Sequence, residues 1–385
     1  MHGEGRGTCR RGGAQAVTAP IQHLMKPSRQ AMVGLPLHEP AAFDAEVART
    51  LAHDMGVLLA AAAGMPCYAL VELGQCPRIE DRSAIALCVL NHGLDVARLF
   101  DGTPEAELAD QGPWLIELST QKPGEVLDLL ASHAGAHHAL SLMVSPLPLR
   151  ALADHLRSWL EGLIPPDAQL PGDEAMGAVL RWFDPRIGLD VPSCWPDEDR
   201  MQFVRAFRWW AAWQPDFSPR LLRGGMHNRA APRIGPLPLD PPLMLALDKL
   251  NTPENMLAFV RENDIEPGEL DRIGPSLQRW LAHRLLDDAR RLGLTDWADR
   301  YMLLSMGLRL HPDIAEVEAL HPLFAAAAEG REALGAAVVG IDPDRWTDLA
   351  EQAPQALALH SHTLLAALRK RRTDARAAHP FAHVY

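Results

Sequence analysis

The chain has 385 residues, 48% of them hydrophobic, and carries 37 basic and 49 acidic side chains for a formal net charge of −12. This length allows two domains with cores of their own, and this apolar content is too high for an intrinsically disordered chain. The acidic balance argues against a broad nucleic-acid-binding surface, and the longest apolar run, Met55–Pro66, is too short to span a bilayer.

The two ends of the chain differ in composition from its middle. Residues 1–38 are rich in glycine and arginine and lack the apolar core of a secretion signal, so we predict a disordered N-terminal extension there. The basic run 369–376 predicts side chains exposed to solvent. The last residues, 373–385, are predicted to form a tail. Five cysteines without a CxxC spacing indicate free thiols and a cytoplasmic location.

The region 40–214 alternates short apolar runs with helical patterns, which predicts an α/β (α+β) lobe with a mixed or mostly parallel sheet flanked by helices. The helical patterns fall at 40–63, 79–91, 124–131 and 147–161. The strand patterns fall at 67–73, 95–100, 113–118 and 139–144. A further buried strand, Ala178–Phe183, is expected to end at Asp184 and Pro185, with Asp184 capping a helix that Pro185 begins.

Segment 215–242 contains seven prolines and three glycines, which indicates a linker between two domains. The tryptophan-rich run before it, Phe207–Trp213, has two interpretations. It forms either the last turns of a helix over 197–213 or a strand paired with Phe217–Leu222. After the linker, 243–372 is predicted to be an all-helical domain.

In the predicted helical domain, the helices are indicated by the spacing of apolar residues and by capping residues. A helix is expected to begin at Thr252-Pro253-Glu254, where a capping threonine precedes a proline. Longer patterns cover Ile273–Leu292 and Trp297–Leu308. Shorter helices are expected over 313–329, 343–350 and 353–370.

The sequence contains no GxSxG, P-loop, HExxH or strand-linked GxGxxG motif. Glu72 and Glu117 lie on predicted strands, but nothing brings them together as an acid/base pair, and contact with solvent or arginine is favoured. Cys67 has no identifiable base beside it and is expected in the core. We therefore expect no catalytic residue and no cofactor.

Histidines provide the candidates for a metal site. His133 and His137 are four residues apart, with His138 adjacent, but Gly135 interrupts the segment and a solvated loop is favoured over a metal site. A second pair, His360 and His362, is no stronger a candidate. We expect no bound metal.

The densest aromatic cluster, Trp209, Trp210 and Trp213, has two interpretations. Large aromatic side chains mostly fill cores or seams between domains, which is the favoured interpretation here. Alternatively the cluster anchors a partner protein, since tryptophan and arginine dominate binding hot spots. Arg186 either ties its turn to a strand carboxylate or presents its guanidinium to a partner. The candidate partner-binding residues are Arg186, Arg205, Arg208, Trp209, Trp210 and Trp213.

Four segments of the chain occur in an order and spacing that resemble a known family. They are Tyr68–Val71, Pro113–Leu118, Leu142–Ser145 and Arg181–Arg186. Together they resemble the adaptor proteins of bacterial type VI secretion, the family of domain of unknown function 4123. The resemblance covers residues 66–190, about a third of the chain, and Phe183-Asp184-Pro185-Arg186 is its most specific part. The helical second half also suits this family.

The resemblance implies a cytoplasmic adaptor or chaperone of a Gram-negative bacterium. Such a protein holds a toxic effector and helps to load it onto the spike protein of the secretion needle, without catalysis. Its implied partners are the effector and the spike protein, with no nucleic acid and no membrane. The matching residues Tyr68, Trp114, Phe183, Asp184 and Pro185 are expected to be structural. The alternative is an enzyme of unknown chemistry on an α/β scaffold.

Overall fold

The computed structural model describes residues 39–62, 64–118, 123–166, 175–225, 232–263 and 269–377. The chain divides into two compact units. The sheet unit consists of Ala41–Thr252 with the chain from Thr363 onward, and the helical unit contains Pro253–His362. The boundary between the two units falls within a helix, whereas the sequence predicted a linker between domains at 215–242. The predicted N-terminal extension, 1–38, lies outside the described residues.

Two sheets form the sheet unit. Their strands are β1 (Cys67–Glu72), β2 (Val96–Arg98), β3 (Pro113–Glu117), β4 (Leu140–Val144), β5 (Glu161–Ile164), β6 (Met176–Val179), β7 (Trp209–Trp213), β8 (Pro219–Arg223) and β9 (Leu237–Pro238). Six of them pair in the order β2-β3-β1-β4-β7-β8, and the other three in the order β6-β5-β9. Strand β1 lies near the centre of the larger sheet and is buried along its whole length.

The predicted fold class is confirmed: an N-terminal region of sheet and helices precedes a helical C-terminal part. Every pairing in the six-stranded sheet is antiparallel, and the parallel pairing of β5 with β9 lies in the smaller sheet. The larger sheet is therefore not the mostly parallel sheet that the alternation of strands and helices had suggested, because connections between neighbouring antiparallel strands can also contain helices.

The helices of the sheet unit are α1 (Pro40–Ala61), α2 (Ile79–His92), α3 (Pro123–Leu130), α4 (Leu149–Arg157) and α5 (Asp197–Val204). Because side chains alternate along a strand, the two faces of the larger sheet meet different neighbours. Tyr68, Leu70 and Trp210 join one core with Trp159, Trp182, Trp195, Phe203 and Phe207. From the opposite face, Trp213 donates a 3.1 Å hydrogen bond from Nε1 to Asp54 of α1.

Of the two interpretations of Phe207–Trp213, the strand is correct. Strand β7 pairs with β8 from Trp209 opposite Arg223 to Trp213 opposite Pro219. The segment predicted as a linker therefore contributes strand β8 to the larger sheet and β9 to the smaller one. Residues 226–231 of that segment lie outside the described part of the chain.

The helices after the strands are α6 (Pro241–Glu262), α7 (Pro275–Arg291), α8 (Trp297–Arg309), α9 (His321–Ala328), α10 (Leu334–Ala337) and α11 (Pro343–Ala377). Two predicted helix boundaries are wrong, because Pro253 lies inside α6 and Pro354 inside α11. An interior proline costs a helix about 3 kcal/mol, which packing along long helices can offset. None of the described helices combines the length and apolar character needed to cross a bilayer.

Three basic residues near the end of α11 are paired with carboxylates, whereas the sequence predicted a solvated end. Arg371 donates a 2.9 Å hydrogen bond to the buried carboxylate of Asp54, and Arg372 pairs with the buried carboxylate of Glu46. Arg369 lies 3.7 Å from Glu46. Since Glu46 and Asp54 belong to α1, these arginines hold the last turns of α11 against the first helix of the sheet unit.

Candidate functional site

The Phe-Asp-Pro-Arg junction is a turn built around the buried carboxylate of Asp184. Its Oδ1 accepts hydrogen bonds from the backbone nitrogen (3.1 Å) and Nε (2.9 Å) of Arg186. Its Oδ2 accepts from Nη2 of Arg186 (2.7 Å) and Nη2 of Arg181 (2.6 Å). Two guanidinium groups thus hold one carboxylate, and such charge-assisted bonds are the strong ones.

The local structure differs from the predicted strand and helix. Strand β6 ends at Val179, and Arg181–Phe183 forms a 3-10 turn that buries Trp182 and Phe183. Asp184 caps a backbone N–H as expected, but turns follow it instead of an α-helix. Gly188 closes them: its N–H donates to the Asp184 carbonyl at 2.7 Å, and an added Cβ would lie 2.1 Å from the Trp182 carbonyl oxygen.

Glu72, at the end of β1, brings a second buried carboxylate into the electrostatic field of this turn. Burial, followed by the negative charge of Asp184, raises the pKa of Glu72 from 4.5 to about 8. The N–H of Gly74, which donates to Oε1 at 3.1 Å, and the charges of Arg181 and Arg186 act in the opposite direction. The Oε2 atom has no hydrogen-bond partner among the described residues. The carboxyl group is therefore protonated over most of the neutral pH range.

The other residues of the resemblance lie on the sheet or pack against it. Tyr68 donates from its hydroxyl to the Leu147 carbonyl at 2.6 Å, and Trp114 donates from Nε1 to the Ala109 carbonyl at 3.0 Å. Phe183 packs edge-on against Phe100, with ring centroids 5.6 Å apart. The contacts of Tyr68 and Trp114 attach loops to the sheet, and the contact of Phe183 joins two turns.

Residues 67–202 match the family model described as "Domain of unknown function (DUF4123)". No curated protein and no solved structure matches the chain. The matched residues, called the DUF4123 segment below, run from the first residue of β1 into α5. They include all four segments of the resemblance and the cluster of ionisable residues Glu72, Arg181, Asp184 and Arg186.

The tryptophan cluster begins seven residues after the DUF4123 segment, and all three side chains are buried. Trp210 faces the aromatic core and donates from Nε1 to the Ser141 hydroxyl at 2.9 Å. Trp209 and Trp213 point to the opposite face of the strand. A buried side chain meets a partner only if the unit opens, so this arrangement fits the packing interpretation.

The three candidate arginines differ in their accessibility. Arg186 directs its guanidinium to Asp184 inside its own turn. Arg205 is exposed at the end of α5, and Arg208 is half-buried before β7. Within the described residues no ion pair is formed by Arg205 or Arg208, so their role in partner binding stays a prediction.

The histidines that follow α3 lie beside the carboxylate of Asp81. The spacing of residues in the sequence did not indicate this contact. His133 Nδ1 lies 2.8 Å from Asp81 of α2, and His137 Nε2 lies 3.6 Å from the same carboxylate. Burial alone would raise the pKa of Asp81, but hydrogen bonds from His133 and Arg78 lower it below its ordinary value. In the described part of the chain, no group of three His, Cys, Asp or Glu residues is arranged to hold a metal ion.

The structure gives each of the remaining chemical candidates different neighbours. His360 Nε2 lies 2.9 Å from Asp313 within the helical unit. In the register of β1 and β3, Glu72 is paired with Pro113 and Glu117 with Tyr68, which separates the two glutamates by four residues along the sheet. Burial raises the pKa of the Cys67 thiol to about 11, which disfavours the nucleophilic thiolate.

An open groove between α1 and α3 is the concave feature that sequence reasoning missed. It has a volume of about 490 Å³ and a mostly apolar lining. Its polar lining residues are Arg49, His53 and Asp128. No sequence signal indicated this groove, because it arises from the packing of two helices about 70 residues apart in the chain.

Proposed function

We propose that this protein is an adaptor that binds a type VI secretion effector and helps to load it onto the spike protein. The observation that carries the proposal is the DUF4123 segment, whose four resembling segments occupy neighbouring strands and the turn beside them. The proposed activity consists of protein–protein contact without a covalent step, inside the cytoplasm of a Gram-negative cell.

The buried ionisable groups are bound within the protein, which argues against acid–base catalysis and leaves a binding role as the proposal. Asp184 is neutralised by two arginines, and Glu72 lies in their field inside the protein. Asp54 and Glu46 are likewise engaged by arginines of the same unit. Groups that act as general acids or bases need to reach a substrate, whereas these stabilise turns and helix contacts.

Co-expression with candidate effector and spike proteins from the same genome tests the proposal. We expect the full-length chain to co-purify with an effector as a defined complex in size-exclusion chromatography with light scattering. A specific complex of standard size buries about 1,200–2,000 Å² of surface, and light scattering gives the stoichiometry of the complex that elutes. If the folded chain binds neither an effector nor a spike protein, the proposal is wrong.

The two units offer separate surfaces, and we propose that they engage different partners. Substitutions on the surface of one unit should then weaken binding to one partner and leave the other unchanged. Surface variants of the full-length chain test this better than isolated halves, because the end of α11 belongs to the sheet unit. Equal weakening of both partners by variants in either unit would contradict the division of roles.

A further inference from the structure

A cluster of two histidines, an arginine and an aspartate lies where α7 and α11 meet within the helical unit. Arg284 belongs to α7 and His360 to α11, while His311 and Asp313 lie in the segment that follows α8. The side chains of Arg284, Asp313 and His360 are 25%, 27% and 16% exposed, so their protein neighbours largely determine their hydrogen bonds. The proposed adaptor function assigns no role to these four side chains.

The Nε2 atom of His360 has two polar neighbours that make opposite demands on it. Nη1 of Arg284 lies 2.6 Å away, and Oδ1 of Asp313 lies 2.9 Å away. An arginine N–H can only donate a hydrogen bond, and an ionised carboxylate can only accept one. Nε2 therefore accepts from Arg284 only when it carries no proton, and donates to Asp313 only when it carries one. The two hydrogen bonds exclude each other, and the proton on Nε2 decides which of them forms.

The two other titratable members of the cluster keep a fixed protonation state. Burial alone would raise the pKa of Asp313, but hydrogen bonds from His360 and Arg284, together with their charges, lower it well below its ordinary value. Nδ1 of His311 accepts from the backbone N–H of Asp313 at 3.1 Å. Burial lowers the pKa of His311; the charge of Asp313 opposes this effect, and the charges of His360 and Arg284 act with it. Near neutral pH, Asp313 is ionised and His311 is neutral, which leaves His360 as the member that can change its charge.

Trp280 of α7 contacts both groups that compete in this cluster. Its ring centroid lies 5.4 Å from that of His360 and 5.7 Å from the guanidinium carbon of Arg284. Because a cation is stabilised over the face of a tryptophan, Trp280 can hold Arg284 when it no longer donates to His360. On α11 itself, His362 is exposed and lies two residues further, on the other side of the helix. The residues one turn from His360 are uncharged: Ala356, Leu357, Thr363 and Leu364.

We propose that His360 is a proton-dependent link that changes its partner within the helical unit. The neutral ring accepts a hydrogen bond from Arg284 and ties α11 to α7. The protonated ring donates to Asp313 and repels the guanidinium of Arg284, so the tie of α11 moves to the turn after α8. Arg284 keeps its bond from Nη2 to Asp313 in both states. The inference is independent of the adaptor proposal, because it concerns this chain alone.

Nitrogen-15 NMR of the full-length chain, labelled at histidine and arginine, tests which partner His360 has at each pH. The variants His360→Gln and Arg284→Met assign the signals by removing them. We expect the neutral ring to carry its proton on Nδ1 and none on Nε2, and the charged ring to carry both. As His360 gains its proton, the N–H groups of Arg284 should exchange with water severalfold faster, because one hydrogen bond is lost. A neutral ring protonated on Nε2, or exchange at Arg284 that ignores the titration, would overturn the inference.

Removing each charged neighbour tests the competition for His360. We expect Asp313→Asn to lower the pH at which His360 titrates by about one unit, and Arg284→Met to raise it by about as much, because charges at such distances act in these directions. The matched control is Asp287→Asn, which removes a carboxylate of α7 that is 66% exposed and pairs with Arg290, and it should leave the titration unchanged. Shifts of the same sign in both variants, or none in either, would contradict the inference. If a variant does not fold, the ring signals of the wild type decide by themselves.

Discussion

The carboxylate of Asp184 is the side chain on which the Arg181–Arg186 turn depends, because two guanidinium groups and one backbone N–H bind to it. Asp184→Asn keeps the size of the side chain and removes its charge. Breaking a buried ion pair in this way costs about 3–5 kcal/mol, so we expect urea to unfold the variant at much lower concentration.

Asp110→Asn is the matched control for this prediction. Asp110 pairs with Arg98 at 2.7 Å, but its side chain is 81% exposed. An exposed pair contributes about 0–1 kcal/mol. If both variants lost the same free energy of unfolding, the buried cluster would not be the source of stability that its geometry indicates.

Glu72 gives the sheet unit a specific dependence on pH. Its pKa is about 8 in the folded chain, against an ordinary value of 4.5, because burial disfavours the carboxylate. Between pH 4.5 and about 8, the carboxyl group of Glu72 is therefore protonated in the folded state and ionised in the unfolded state. The contribution of Glu72 to stability is fully present below pH 4.5 and is lost as the pH rises to about 8, at about 1.4 kcal/mol per pH unit.

Glu72→Gln removes this titration while keeping an oxygen to accept from Gly74. We expect the difference in unfolding free energy between the wild type and the variant to change with pH from 5 to 8 and to be constant above about 9. Chemical denaturation at each pH measures it, and the subtraction removes the titration of all other groups. A difference that did not vary with pH would show that Glu72 has an ordinary pKa.

At the scale of elements, strand β7 shows how a buried strand can hold the core of the unit together. Trp210 contacts the rings of Trp182, Phe203 and Phe207, with centroids 6.0–6.3 Å apart. Trp210→Ala should lower the free energy of unfolding by about 3–5 kcal/mol, whereas Trp297→Ala, at a side chain 42% exposed, should cost less. A Trp210 variant that lost partner binding at unchanged stability would instead favour the anchor interpretation.

The elements that could be predicted from sequence are those with a strong local pattern. Strands β1, β3 and β4 are short apolar runs between turn residues, and the observed strands lie within the predicted ranges. Strand β5 follows α4 after only three residues, so the predicted helix over 147–161 includes its first residue, Glu161, and the rest of the strand falls in a segment predicted as a loop. For β7 the sequence pattern did not distinguish a helix from a strand, because Trp209 and Trp213 lie on the same face of the segment in either structure.

The candidate site depends on contacts between distant parts of the chain, which a single sequence does not reveal. The sequence indicated the turn at Asp184. It did not indicate that Glu72, 112 residues earlier in the chain, lies in the electrostatic field of Asp184. Asp81 meets His133 across 52 residues, and Arg371 meets Asp54 across 317. Local periodicity specifies elements, whereas these pairings follow from how the elements pack.

At the scale of the whole molecule, the sheet unit is completed by the far end of the chain. Arg371 and Arg372 supply cations to Asp54 and Glu46, which are buried on α1. Asp54 also accepts from Trp213 of β7, so the same carboxylate links α1, the larger sheet and the end of α11. A chain cut within 215–242, where the linker was predicted, would lose these arginines and leave the two carboxylates without them.

Two deletions that differ by four residues test this dependence. Removing residues 369–385 takes away Arg369, Arg371 and Arg372, whereas removing 373–385 leaves all three in place. We expect the longer deletion to destabilise the sheet unit by about 3–5 kcal/mol, because the buried carboxylate of Asp54 loses its arginine and that of Glu46 keeps only Arg49, and the shorter one to change stability by less than about 1 kcal/mol. Hydrogen exchange of the α1 amides locates the effect, since those amides should lose protection in the longer deletion only. Equal protection of α1 in both deletions would mean that the arginines are not needed to hold the helix.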